Sequence, residues 1–219
     1  MLDPNAYHHP STGNQAKPDL GHQGNPFDYA PVAARPANRL GQNGYPPNIT
    51  LIGMFGSGKS TVARLMAKRL RYHVVDVDHV IEHNFKKSLQ KVLDDLGIRK
   101  FMAMEDQTLR TLKSRRCVIA PGGSAVYYPI GMKALQKMGP LVYLKVSLVE
   151  LKRRLPDWSS RGVVCRGGST LPVLFRERSP LYRQYADITV DANGQNWDKM
   201  AEAALKGVVE WHLKNSKRK

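Results

Sequence analysis

From residue 48 to about residue 213 the chain alternates short apolar runs with longer stretches whose apolar positions recur every three or four residues. The short runs read as strands and the 3.6-residue period as amphipathic helix. Strands are expected over 48–54, 73–77 (His-Val-Val-Asp-Val), 117–120 (Cys-Val-Ile-Ala), 140–146 and 187–191. Helices are expected over 59–70, 79–85, 88–96, 98–115, 130–138, 147–155, 171–186 and 196–213. Five short strands separated by helices indicate an α/β three-layer sandwich. A five-stranded parallel sheet is covered on both faces and takes its ligand at the carboxyl ends of the strands. No internal repeat is visible.

Residues 1–47 show no such period. They hold eight of the fourteen prolines, with Gly, Asn, Gln and His between them. Such a composition cannot bury enough apolar surface to offset its ordering entropy, so a disordered tail is expected. The division that follows is tail 1–47, one domain 48–214, and a short basic tail 215–219. His8-His9 reads as a solvated pair in that tail rather than a metal site.

Charge sharpens the picture. The net charge of +16 belongs wholly to the body, because Lys17, Arg35 and Arg39 balance Asp3, Asp19 and Asp28 in the tail. A basic body suits anionic small ligands such as ATP and a carboxylate or phosphate substrate. Nucleic acid is the rival polyanion, but the basic residues are scattered and no nucleic-acid module pattern occurs, which argues against dedicated binding. No apolar run reaches the roughly 18 residues needed to span a membrane, and no signal or transit pattern opens the chain. Cys117 reads as core and Cys165 as part of a polar loop, so no disulfide is expected and the chain is read as cytoplasmic.

Residues 53–60 read Gly-Met-Phe-Gly-Ser-Gly-Lys-Ser, a full match to the phosphate-binding loop G-x-x-x-x-G-K-[ST]. Gly53, Gly56 and Gly58 let the backbone curl so that N–H groups, among them those of Ser57 and its neighbours, surround phosphate oxygens. Lys59 reaches the β/γ-phosphates, and the Ser60 hydroxyl can ligate Mg²⁺. A strand before the loop and a helix beginning at its end add the helix N-terminus, with Thr61 in its first turn, to the anion site.

Four weaker signals accompany the loop. Asp76-Val-Asp78 closes the second strand, where a kinase needs one acid for the Mg²⁺ shell and one for the attacking hydroxyl. The bland alternative is a pair of solvated turn acids, or Asp78 capping the next helix. Pro121-Gly-Gly-Ser-Ala125 follows the third strand and permits close backbone approach, or is simply a tight turn. The polar loop 157–168 contains Arg161 and Arg166, either of which could reach a transferring phosphoryl group. Arg178-Ser-Pro-Leu-Tyr182 carries an arginine able to clamp a carboxylate.

As a set, these residues resemble the shikimate kinase family of phosphate-loop proteins, over about residues 48–212. Gly-Met-Phe-Gly-Ser-Gly-Lys-Ser-Thr-Val-Ala-Arg, Val-Val-Asp-Val-Asp-His-Val-Ile-Glu, Gly-Gly-Ser-Ala-Val and Arg-Ser-Pro-Leu-Tyr-Arg-Gln-Tyr-Ala-Asp stand in that family's order and spacing. The resemblance implies a phosphate-loop kinase fold with a short lid, acting as a monomer. It implies transfer of the ATP γ-phosphate to the 3-hydroxyl of shikimate, with Mg²⁺ as cofactor. By motif position, Lys59 stabilises the transferring phosphoryl group, and Ser60 and Asp76 hold Mg²⁺. Asp78 grips acceptor hydroxyls and acts as base. Gly122, Gly123 and Ser124 line the acceptor pocket, and Arg178 binds the carboxylate. Arg154 lies against adenine, and Arg161 is the lid arginine.

The chain departs from the family at three places. The family's helix motif Gly-Glu-x-x-Phe-Arg-x-x-Glu here reads Gly97-Ile-Arg-Lys-Phe-Met-Ala-Met-Glu105. Met102 thus stands where a second carboxylate-binding arginine is expected, and Arg99, one turn earlier, is a candidate substitute. The third glycine of the triplet is Ser124, and the lid's Arg-Pro is Arg161-Gly162. A sister kinase of gluconate or another hydroxylated metabolite, or a nucleotide-binding regulator, therefore remain alternative readings.

Overall fold

A computed structural model describes residues 45–156, 163–164, 169–194 and 196–216. The expectations for the segment before residue 45, for Arg161, Cys165 and Arg166, and for the last three residues lie outside the described residues.

Five strands form one sheet: β1 (Asn48–Ile52), β2 (His73–Asp76), β3 (Cys117–Ala120), β4 (Leu141–Lys145) and β5 (Ile188–Asp191). All neighbours are parallel, in the order β2-β3-β1-β4-β5. β1 is central and all five of its residues are buried, the apolar Ile49, Leu51 and Ile52 together with the polar Asn48 and Thr50. Asn48 pins the register on one side: its Nδ2 donates to Ser114 O at 2.9 Å, and its Oδ1 accepts from Cys117 N at 3.2 Å.

The helices are α1 (Lys59–Leu70), α2 (Val77–Phe85), α3 (Leu89–Thr111), α4 (Pro129–Met138), α5 (Leu148–Arg154), α6 (Leu171–Tyr185) and α7 (Trp197–Ser216). A single 3₁₀ turn spans Ala125–Tyr127. The crossover through α1 runs from β1 toward β2, whereas those after β2, β3 and β4 run the other way along the sheet. Right-handed connection then puts α1 on one face and α3, α4 and α6 on the other. α7 returns to pack on α1, and α3 packs on α4. Among the described residues no helix is long and apolar enough to cross a membrane.

Several element boundaries differ from those expected, each for a local reason. β1 stops at Ile52 because Gly53 takes φ 148 and starts the loop. β2 stops at Asp76, and α2 already begins at Val77. Asp78 therefore lies in the first turn of a helix rather than at a strand end, as first expected. The two helices expected over 88–96 and 98–115 meet at Gly97, whose φ 70 and ψ 159 interrupt an otherwise continuous α3 that ends at Thr111. The 3₁₀ turn after Ser124 was not anticipated, since three residues are too few to show a period.

The packed body starts before Asn48. Tyr45 packs against the core, Tyr72 OH donates to Pro46 O at 3.0 Å, and Arg116 N donates to Pro47 O at 2.6 Å.

Candidate active site

β1 delivers the chain to the mouth of the sheet, where strand order reverses and α/β proteins form their ligand crevice. Gly58 is the N-cap residue of α1, with φ 94 and ψ 14. That conformation and the room it leaves require glycine, because a Cβ there would lie 2.4 Å from Trp197 Cζ3. Behind the loop, α1 buries Val62, Ala63, Met66, Ala67 and Leu70, a stripe at helical spacing that fixes it to the sheet.

A cavity of about 450 Å³ opens here. Phe55, Gly56, Gly58, Lys59, Ser60 and Thr61 line it from the loop, and Asp76, Asp78 and Gly123 from neighbouring strands and turns. Lys59 Nζ donates to Gly53 O at 2.9 Å and to Met54 O at 3.0 Å. Ser60 Oγ donates to Asp76 Oδ2 at 2.6 Å. The β2–β3 register sets Asp76 beside Ala120, so the acidic end of β2 and the glycine turn after β3 emerge together.

The electrostatics are those of a poised site. Burial pushes the Lys59 ammonium down to about 8, against the opposing pull of Asp78 and Asp76. Burial likewise pushes the Asp78 carboxyl up to about 6, although Lys59 pulls it down. Asp78 Oδ1 is buried with no hydrogen-bond partner among the described residues. An unpaired buried acceptor is costly, and its natural complement is a donor brought by a ligand.

The comparisons with known proteins fall on this region. A family model for shikimate kinase matches residues 55–208. The chain belongs to the shikimate kinase family. It is 34% identical to the shikimate kinase of Nitrosomonas europaea over 154 residues, covering 69% of this chain and 73% of that protein. It is 33% identical to the shikimate kinase of Thermodesulfovibrio yellowstonii over 162 residues, covering 73% of this chain and 93% of that protein. Among solved structures, shikimate kinase from Acinetobacter baumannii in complex with shikimate superposes with TM-score 0.70 at 28% identity, over 75% of this chain and 94% of that one. Shikimate kinase from Aquifex aeolicus gives TM-score 0.64 at 25% identity, over 76% and 98%.

Beside this cavity, the residues expected to bind the acceptor are brought together from α2, α3, the turn after β3 and α6. Gly122 and Gly123 bring backbone close: a Cβ on Gly122 would lie 2.8 Å from Asp78 Oδ1 and 3.1 Å from Glu105 Oε1. On Gly123 it would lie 3.2 Å from Phe55 N and 3.3 Å from Arg178 Nη1. Leu171, Leu174, Arg178 and Tyr182 share the buried face of α6, so Arg178 points inward and is 1% exposed. Its Nε donates to Tyr127 OH at 3.1 Å, its Nη2 donates to Val164 O, and its guanidinium stacks 5.0 Å from the Tyr127 ring centroid. Tyr182 OH donates to Gly123 O at 2.6 Å, which steadies the glycine turn.

Glu105 on α3 is buried and accepts from Ser124 Oγ at 2.9 and 2.8 Å and from Tyr128 OH. Burial pushes its carboxyl up to about 7, opposed by the Tyr128 hydrogen bond. Of the expected acceptor residues, Asp78 and Gly123 line the cavity, whereas Gly122, Ser124 and Arg178 lie beside that lining; Met102, half-buried against the core, and the exposed Arg99 do not line it either.

Sequence reasoning assigned no role to Tyr127, Tyr128 or Trp197. A pair of tyrosines directly after the glycine turn was the available signal for the first two. Nothing in one sequence marks Trp197. Arg154, the residue expected against adenine, reaches the phosphate loop. Its Nη1 donates to Gly56 O and Ser57 O, each at 3.3 Å, and its guanidinium sits 4.9 Å from the Trp197 ring centroid.

Proposed function

We propose that this protein phosphorylates shikimate on its 3-hydroxyl, using ATP. The single observation that carries the reading is the convergence of the phosphate loop, Lys59, Asp76 and Asp78 on one cavity, in a chain of the shikimate kinase family. The sole covalent change is transfer of the γ-phosphoryl group from ATP to an acceptor oxygen, with loss of the hydroxyl proton. Positioning and electrostatics therefore do most of the catalysis.

The loop residues Gly53, Gly56, Ser57, Gly58 and Thr61 surround the ATP phosphates. Lys59 stabilises the phosphoryl group in flight, where negative charge gathers. On ATP binding its ammonium exchanges the Gly53 and Met54 carbonyls for phosphate oxygens, which are stronger acceptors. Asp78 holds the acceptor hydroxyl and takes its proton. Its orphaned Oδ1 and raised affinity for a proton suit a base working near neutral pH.

Ser60 and Asp76 suit Mg²⁺. Their hydroxyl and carboxylate already converge, and a small hard cation takes few protein oxygens and completes its shell with phosphate and water. When bound, the ion neutralises phosphate charge. Among the described residues no group of three His, Cys, Asp or Glu could hold a metal alone, so the protein's share is this pair.

On the acceptor side, Gly122, Gly123 and Ser124 form the wall, and Arg178 binds the carboxylate. Arg178 is well suited because its ring stacking and Tyr127 bond hold the planar fork in one orientation. Arg161 remains the candidate lid arginine. On this reading the enzyme acts as a monomer in the cytoplasm. The test is ADP release coupled to a reporter with shikimate, gluconate and other hydroxy acids as acceptors. Release that depends on shikimate alone is expected; none at millimolar shikimate would overturn the substrate, and none with any acceptor would overturn the kinase.

A further inference from the structure

The 3₁₀ turn Ala125–Tyr127 is held at both ends by one carboxylate. Ser124 is its N-cap residue and Tyr128 its C-cap residue, and the Ser124 side chain makes no capping bond to the turn's own backbone. Both hydroxyls instead reach Glu105 on α3. Ser124 Oγ donates across Oε1 and Oε2 at 2.9 and 2.8 Å, and Tyr128 OH donates to Oε2. Glu105 and Ser124 are 4% exposed and Tyr128 5%, so water does not compete for these bonds. Among the described residues no cation stands within ion-pair distance of Glu105. Met102, one turn earlier on α3, brings none. A buried carboxylate without a cation depends on its hydrogen-bond donors, and here these are the two hydroxyls.

The anchored segment reaches Arg178. Ala125 N donates to Gly122 O at 3.2 Å, Tyr127 N to Ser124 O at 2.9 Å and Tyr128 N to Ala125 O at 3.0 Å, so residues 122–128 form one bonded unit. Ser124 and Tyr128 turn toward α3, whereas Tyr127, between them, turns toward α6. The Tyr127 hydroxyl accepts from Arg178 Nε and donates to Glu177 Oε2, each at 3.1 Å, and the guanidinium lies 5.0 Å from its ring centroid. Arg178 Nη1 comes up beside Gly123, which lines the cavity. A guanidinium fork takes a carboxylate through two parallel bonds, so its orientation decides the fit. A shift of the 3₁₀ turn would carry Tyr127 with it and tilt that fork.

We propose that Ser124 and Tyr128 are positioning residues for the acceptor: through Glu105 they clamp the 3₁₀ turn, and so hold Tyr127 and the Arg178 fork in the orientation that takes the acceptor's carboxylate. The proposal rests on the shikimate reading above and adds to it two side chains that act without touching substrate.

The experiment is a double-mutant cycle on full-length protein, read by ADP release with shikimate. Its four members are wild type, the pair Ser124→Ala with Tyr128→Phe, Arg178→Lys, and all three substitutions together. The pair removes two hydroxyls and little else. In the wild-type background it should raise the Michaelis constant for shikimate about tenfold, while that for ATP stays within about twofold. On top of Arg178→Lys, which keeps the charge but lacks the fork, the same pair should raise it less than about twofold. An equal rise in both backgrounds would show that the clamp does not act through Arg178 and would overturn the proposal. So would an unchanged constant for shikimate in the wild-type background, or a parallel rise for ATP, which marks a general loosening. Should the paired variant not fold, Tyr128→Phe alone carries the same cycle. Wild type that releases ADP with another acceptor but not with shikimate would instead sink the substrate reading, and the clamp with it.

Discussion

The nucleotide side and the acceptor side of the cavity are built on different principles. The nucleotide side is local: the eight consecutive residues 53–60, the first turn of α1 and the end of β2 supply it. Much of its machinery is backbone, and side chains such as Lys59 and Ser60 sit in fixed register on that backbone. The proposed acceptor side is composite: next to Asp78 of α2 and Gly123, which line the cavity, it draws on Glu105 from α3, Gly122 and Ser124 after β3, and Arg178 from α6, which meet beside that lining. It is made of side chains whose meeting depends on how four elements pack. The phosphate loop itself keeps the family pattern, whereas two of the three departures, Met102 and Ser124, fall on the second side. A site made of backbone tolerates little change, whereas one made of meeting side chains can be rewired residue by residue. Here Ser124 and Tyr128 share Glu105, the residue that closes the helix motif in which Met102 replaces arginine.

The sharpest way to break the contrast is Lys59→Ala. Loss of the ammonium where charge gathers should lower turnover by about a thousandfold or more with the melting temperature nearly unchanged. Steady-state rates beside a thermal melt check this, and unchanged turnover would refute the kinase chemistry.

Asp78→Asn tests the hinge between the two sides. Turnover should fall by about a hundred- to a thousandfold while ATP affinity changes less than about threefold. An equal loss of ATP affinity in titrations would move Asp78 to the nucleotide side. The same variant should be more stable at pH 7–8. The folded-state value of Asp78, about 6, lies above the ordinary 3.8, so its contribution to stability falls as pH rises between these values and is least above both. Asn removes that penalty, and a gain of about 2–6 °C in melting temperature is expected.

The acceptor side is sharpened by Met102→Arg. A guanidinium there, oriented by Glu105 one turn on, should add a charge-assisted bond of about 1.5–3 kcal/mol to the carboxylate, lowering the Michaelis constant for shikimate about ten- to a hundredfold. A rise instead, measured against unchanged ATP kinetics, would show a pocket shaped around methionine.

The smallest expected effect is on pH dependence. Asp78 must be ionised and Lys59 charged, so kcat/KM should rise toward a limb near pH 6 and fall beyond one near pH 8. Asp78→Asn should remove the lower limb; its persistence in that variant would assign the base elsewhere.

Legibility followed the same division. The strand and helix order, the loop, and the acids near it were read from residues, because periodicity and a contiguous motif are local properties of the chain. The start of α2 at Val77 was missed by two residues, because Asp76 ends β2 and begins the helix without a side-chain capping bond to announce it. Glu105 with Ser124 and Tyr128 could not be read, since they are separated by 19 and 23 positions and meet only when α3 lies beside the turn after β3.

The order of residues alone was enough for a parallel α/β fold, a phosphate loop and a kinase of this family, because each is encoded in spacing along a few neighbouring positions. Tertiary structure decided where the arginines point. Arg178 and Tyr127 are 51 positions apart, and Arg154 and Gly56 are 98 apart. An arginine's five donors go wherever packing brings acceptors, and no local rule says which carbonyls those will be.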